Sequence, residues 1–173
     1  MVHIRHTPII VDEFKALPGC YIYLLSHMHT DHTSGLNPSW NNGIIYCSWT
    51  TRALLLQKFK VNPELVIGLD EDETHQIPLD SGLYHNHSTT TVTTTAVTKT
   101  GHNKTTLINS LNSNSSGGGS SSSSSGGGGN GKVMMQLTLI DANHCPGSCM
   151  FLLDGYFGRI LCTGDFRYDP VIM

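Results

Sequence analysis

Tyr21-Ile-Tyr-Leu-Leu-Ser-His-Met-His-Thr-Asp-His32 is an apolar run of five residues followed at once by three histidines and an aspartate. The run suits a strand buried on both faces. His27, His29 and Asp31 then recur at every second position. In extended chain such residues project to one side, where a metal ion needs its ligands. His32 is one step out of phase, and a turn there aims it elsewhere, for instance at a second metal. Imidazole and carboxylate together suit Zn²⁺, Mn²⁺ or Fe²⁺. The ordinary alternative is a polar loop that happens to be rich in histidine. Surface loops rarely concentrate ligand types behind a buried strand, so the metal reading is preferred.

Working outward, Ile9-Ile-Val11 and Ile44-Ile-Tyr-Cys47 are further short apolar strands. Thr50 or Thr51 can cap a helix over Arg52 to Lys60, with Leu54, Leu55 and Leu56 inward and Pro63 as the stop. Gln136 to Ile140 alternates like a half-buried strand. Cys149 to Leu153 and Arg159 to Cys162 read as two more, with Asp154-Gly155 as the turn between them. His144 follows the first of these strands and Asp165 the last. Ligand-type residues therefore stand beyond the ends of three apolar strands, the edge at which α/β sheets place their sites. Taken singly, His144 could be a loop histidine and Asp165 a turn residue; beside residues 27–32 they complete a metal site. Asp12, after Ile9-Ile-Val11, is either an exposed turn residue or a carboxylate that orients a ligand.

The 173 residues carry a net charge of −3. From Ser88 to Gly131, 30 of 44 residues are Ser, Thr or Gly, and the only charges are Lys99 and Lys104. Without that tract the chain carries −5, which excludes a basic protein that binds nucleic acid by bulk charge. The tract offers too little apolar surface to offset chain entropy and is expected to be disordered. It divides the chain into a first part of an α/β domain (residues 1–83), an insertion (84–131) and a continuation (132–173). Five cysteines without paired spacing argue against a disulfide framework and fit a reducing compartment. Cys145 and Cys149 are expected as small buried side chains. His3, His6, His75, His85, His87 and His102 read as solvated, and Asp70 to Glu73 as a solvated loop. No apolar run is long enough for a membrane span, and the first eight residues lack a signal core.

One or two bound cations at such a site promote hydrolysis by activating water. Asp31 or Asp165 can ligate metal and hold the attacking water. No nucleophile motif or phosphate-binding loop competes with that reading.

The string His27-x-His29-x-Asp31-His32 resembles the signature of the metallo-β-lactamase fold, an αββα sandwich of hydrolases. Asp141-Ala-Asn-His-Cys-Pro-Gly-Ser-Cys-Met-Phe-Leu152 and Thr163-Gly-Asp-Phe-Arg-Tyr168 are similar to the DNA cross-link-repair nucleases of that fold, the Artemis, Apollo and Pso2 group. His6-Thr-Pro-Ile9 and Gly155-Tyr-Phe-Gly158 look most like the Apollo branch. The resemblance implies that His27, His29 and His144 hold a first metal, and Asp31 and His32 a second. Asp165 bridges or completes both sites, and Asp12 supports them. It implies Zn²⁺, with Mg²⁺ or Mn²⁺ as alternatives at the second position. It further implies 5′→3′ exonuclease action on DNA with 5′ ends, in cross-link repair, double-strand-break processing and telomere maintenance in the nucleus, with telomere or repair proteins as partners. The family's β-CASP cap is expected to be missing from a chain that stops at Met173. The competing expectations are a truncated, inactive metal- or partner-binding fragment, and a hydrolase of the same fold acting on thioesters or RNA.

Overall fold

A computed structural model describes residues 2–80, 92–97, 103–108 and 133–171. Two sheets pack face to face. The first contains β1 (Val2–His3), β2 (Ile9–Val11), β3 (Ile22–Leu24), β4 (Ile44–Ser48) and β5 (Val66–Leu69), in that order. From β2 to β5 the neighbours are parallel, and β1 joins β2 antiparallel. The second sheet is antiparallel. It contains β6 (Thr74–Pro78), β7 (Val92–Val97), β8 (Asn103–Ile108), β9 (Met134–Asp141), β10 (Cys149–Gly155) and β11 (Gly158–Cys162), in the order β11-β10-β9-β6-β7-β8.

The apolar runs fill two cores because successive strand residues point to opposite faces. Ile9, Val11, Ile22, Leu24, Tyr46 and Ile67 meet Ile77, Leu137, Leu139, Phe151 and Leu153 between the sheets. Ile10, Tyr23, Leu25, Ile45 and Val66 face outward from the first sheet, onto Leu55 and the aromatic rings of Phe14 and Trp40. Trp40 stands edge-on to Tyr23 at 4.7 Å. Burial on both faces, read from Tyr21 to Leu25, is thus present. In β9 only Met135, Leu137 and Leu139 are buried, matching the alternation in the sequence.

The helix, α1 (Trp49–Phe59), differs from the expectation. Its cap is Ser48, whose Oγ accepts from the Thr51 N–H, rather than Thr50 or Thr51. Of the three leucines only Leu55 is fully buried, while Leu54 is 38% exposed. A helix turns about 100° per residue, so three consecutive side chains cannot share one face. The helix ends at Phe59 with Lys60 in a left-handed conformation, and Pro63 opens a following 3-10 turn capped by Asn62. The second helical layer of an αββα sandwich is not among the described residues, so what they show is an α/β arrangement with one helix over one sheet.

Two further expectations are corrected. Gly155 pairs with Gly158, so the β10–β11 turn is Tyr156-Phe157, and Asp154 instead stays in its strand with its carboxylate on Arg159. His75 is buried, its Nε2 being 2.9 Å from the Asp70 carbonyl, because it points inward from β6. Asp70 to Glu73 is a loop, as expected, with Glu71 and Asp72 exposed; it crosses between the two sheets, and Asp70 accepts from Trp49 Nε1 at 3.1 Å. Within residues 84–131, expected to be disordered, two segments with several Thr, Val or Ile residues pair as β7 and β8 and extend the second sheet from β6. β-branched residues suit a pleated surface. The rest of that stretch, including His85, His87 and His102, lies outside the described residues.

Candidate metal centre

His27, His29, His144 and Asp165 each offer one ligand atom to a group whose members all lie within 4.8 Å of one another. The elements that assemble it come from both sheets. Ser26 and His27 leave the end of β3, His144 the end of β9, and Asp165 the end of β11. The Cys149 N–H donates to the Ser26 carbonyl at 3.0 Å, and the Arg167 N–H to the Ala142 carbonyl at 2.9 Å. These two bonds stitch the three strand ends together.

The separations have the scale of a coordination shell. His144 Nε2 is 3.2 Å from His29 Nδ1 and 3.7 Å from Asp165 Oδ2. His27 Nε2 is 3.8 Å from Asp165 Oδ2. Ligands placed tetrahedrally about Zn²⁺ at about 2.0–2.1 Å stand roughly 3.3 Å apart. His27 Nε2 is also fully buried and has no hydrogen-bond partner among the described residues. A buried polar atom without a partner is costly, and a cation at the centre of the group would satisfy it. Three imidazoles and a carboxylate therefore fit a divalent metal ion by arrangement and by donor chemistry.

Asp31 departs from the extended reading, while the turn expected at His32 is present. A 3-10 turn over Thr30–His32 ends the every-second-residue pattern after His29. Asp31 swings to the surface with a side chain 77% exposed, outside the four-residue group, while His32 turns inward. His32 Nε2 is 3.7 Å from Asp165 Oδ1 and 3.5 Å from Asp31 Oδ2. Asp165 thus directs one oxygen toward His27 and His144 and the other toward His32.

Asp12 is buried rather than an exposed turn residue. Its Oδ1 accepts from the Ser26 N–H at 2.8 Å and its Oδ2 from the Ser26 hydroxyl at 2.7 Å. The same Oδ2 is 2.9 Å from His32 Nδ1. Burial pushes the His27 imidazolium below its ordinary range, helped by the charges of His32 and His29 and opposed by Asp12 and Asp165. The ring is therefore held neutral, as a ligand must be. Cys149 is buried and Cys145 half-buried, and neither joins the group.

Sequence reasoning did not single out the groups that hold the His144 loop. Ser148 Oγ accepts from the His144 and Cys145 N–H groups, and the Gly147 carbonyl accepts from Ser48 and Thr51. Ser26, which lies between Asp12 and His27, was likewise passed over. The available signal was a small hydroxyl residue wedged between a buried strand and the first histidine.

A histidine–carboxylate cluster at the strand ends of two packed sheets is one that could hold a metal ion, before any relative is considered. The chain is 34% identical over 174 residues to 5′ exonuclease Apollo of Mus musculus, covering 99% of this chain and 23% of the relative. It is 31% identical over 166 residues to DNA cross-link repair protein SNM1 of Arabidopsis thaliana, covering 93% and 22%. DNA cross-link repair protein pso2/snm1 of Schizosaccharomyces pombe is 27% identical over 166 residues, covering 92% and 20%. The resemblance to the Artemis, Apollo and Pso2 group thus extends over nearly the whole chain and is not confined to its motifs. The chain spans only about a fifth to a quarter of the length of these relatives. No family model matches it.

Proposed function

We propose that this chain carries the metal-holding part of a DNA-repair nuclease of the cross-link-repair group, with a metallo-β-lactamase-like fold and 5′→3′ exonuclease action on DNA. The observation that carries the reading is the four-residue cluster of His27, His29, His144 and Asp165 in a chain similar throughout to proteins named as an exonuclease and as cross-link-repair proteins. His27, His29, His144 and Asp165 hold a first cation, for which their chemistry favours Zn²⁺. His32, Asp31 and the second oxygen of Asp165 hold another, Zn²⁺, Mg²⁺ or Mn²⁺. When bound, such a cation supplies Lewis acidity and makes water nucleophilic near neutral pH.

The residues of the chain do the rest. The neutral, buried ring of His27 keeps its nitrogen free for binding. Asp165 sets the spacing between the two positions. Asp31, at the exposed rim, accepts a hydrogen bond from the attacking water and orients it toward the phosphodiester. The substrate is DNA with a 5′ end. The processes are cross-link repair, break processing and telomere maintenance in the nucleus, alongside telomere or repair proteins.

The test is a nuclease assay of the chain on 5′-phosphorylated single-stranded DNA with added Zn²⁺, Mg²⁺ or Mn²⁺. Mononucleotide release that EDTA stops and that Asp165→Ala and His144→Ala lack is the expected result. Equal cleavage by the variants would overturn the site. Turnover of a thioester or of RNA with no action on DNA would overturn the substrate.

A further inference from the structure

We propose that Ser26 is a positioning residue: it relays the hydrogen-bond demand of Asp12 to His27 and so fixes which imidazole nitrogen faces the metal cluster. The inference rests on the reading of His27 as a ligand. Ser26 is 2% exposed, and its backbone N–H and hydroxyl both donate to the Asp12 carboxylate. A serine hydroxyl has one proton. With that proton given to Asp12 Oδ2, Ser26 Oγ can only accept from His27 Nδ1, 2.9 Å away. Nδ1 therefore carries the ring proton and the lone pair lies on Nε2. Nε2 is the buried atom without a partner, the one directed at Asp165.

The relay is needed because the neutral histidine side chain in water favours the opposite arrangement, with the proton on Nε2. Left to itself, the ring would turn an N–H toward the cluster and could not ligate. Asp12 does not make this contact itself: its Oδ2 lies against His32 Nδ1 at 2.9 Å. Through Ser26 one carboxylate acts on two histidines, one on each side of Asp165.

Two variants separate the relay from simple packing. Ser26→Ala removes the acceptor from Nδ1. Asp12→Asn keeps the volume and reverses the polarity. The Ser26 N–H still requires an oxygen at the Oδ1 position, so the amide NH₂ faces Ser26 Oγ. The hydroxyl must then donate to His27 Nδ1 and force the proton onto Nε2. Space around Ser26 is tight, since a Cβ on Gly164 would come 3.1 Å from Ser26 Oγ, so Asp12→Asn is a cleaner probe than a larger residue at position 26.

The experiment is a long-range proton–nitrogen correlation spectrum of the metal-free, ¹⁵N-labelled chain. The expected result is a pyrrole-type Nδ1 and a pyridine-type Nε2 for His27, shifting toward the reverse in Ser26→Ala and reversing in Asp12→Asn. Zn²⁺ affinity by chelator competition is expected to fall about 10- to 100-fold in both. An Nε2–H tautomer in the unmodified chain overturns the relay, even if neither variant folds. So does an unchanged tautomer in either folded variant. The spectrum needs no DNA, so a failed nuclease assay leaves this result standing and the two failures are distinguishable.

Discussion

The carbonyl oxygen of Gly147 accepts a 2.7 Å hydrogen bond from the hydroxyl of Ser48, 99 residues earlier in the chain. Thr51 Oγ1 adds a second at 2.8 Å. The same Ser48 oxygen caps α1 by accepting from the Thr51 N–H. The start of the one described α-helix therefore grips the loop that carries His144, and helix capping and site geometry share a residue.

Gly147→Ala should destabilise the protein and loosen the His144 loop. The residue has φ +78°, and a Cβ there would lie 2.8 Å from Thr50 Cβ and 2.9 Å from the Thr51 nitrogen. Left-handed strain of about 1 kcal/mol or more adds to that clash. Urea unfolding should show the loss, and Zn²⁺ titration a weaker site. Unchanged stability would mean the loop is not held by the helix.

Leu55→Ala is expected to cost about 2–5 kcal/mol, the range for deleting a fully buried leucine side chain. Leu54→Ala, next to it but 38% exposed, should change stability by about 0.5 kcal/mol or less. Equal losses in chemical denaturation would contradict the orientation of α1.

Stability should fall with acidification through the titration of His27. Burial first, then His32 and His29, hold its imidazolium below the ordinary 6.5. Below that pH the unfolded chain binds a proton that the native ring still refuses, so unfolding becomes easier as pH falls. Urea midpoints measured from pH 7.5 to 5 should decline, and His27→Gln should flatten the slope. A midpoint that rises on acidification, or an unaltered slope in the variant, would contradict this.

Two thiols should be inert in the native state. Burial pushes Cys47 up to about 12 and also raises Cys149. At pH 8 only about one Cys47 in ten thousand is thiolate, and the thiolate is the reactive form. Iodoacetamide with mass spectrometry should label the half-buried Cys145 and Cys162 first, and Cys47 and Cys149 only after unfolding. Early labelling of Cys47 would show that the outer core opens.

Much of this was legible in the chain alone. Ile9–Val11, Ile22–Leu24 and Ile44–Cys47 are apolar without a break because a parallel sheet buries both faces. The strand at Met134–Asp141 shows itself by alternation. Val66–Leu69 and Thr74–Pro78 escaped notice. The former is interrupted by Gly68, and the latter carries His75 inward where polarity suggested solvent. The cap was read at Thr50 or Thr51 and stands at Ser48, because neighbouring hydroxyls differ only slightly as caps and the tertiary contact to Gly147 is not local.

The sequence by itself determined the ligand-type residues of the candidate site and the strands that carry them: His27, His29, Asp31 and His32 behind one apolar run, His144 and Asp165 behind two others. Only the tertiary structure decided their partnership. A 3-10 turn sends Asp31 outward and His32 inward, and the packing of two sheets brings His144 and Asp165 to His27. Residue type and spacing are local properties of a chain. Which oxygen of Asp165 meets which histidine, and which hydroxyl links Asp12 to His27, depends on backbone direction at strand ends far apart in sequence. That direction is fixed only when the two apolar faces close on each other.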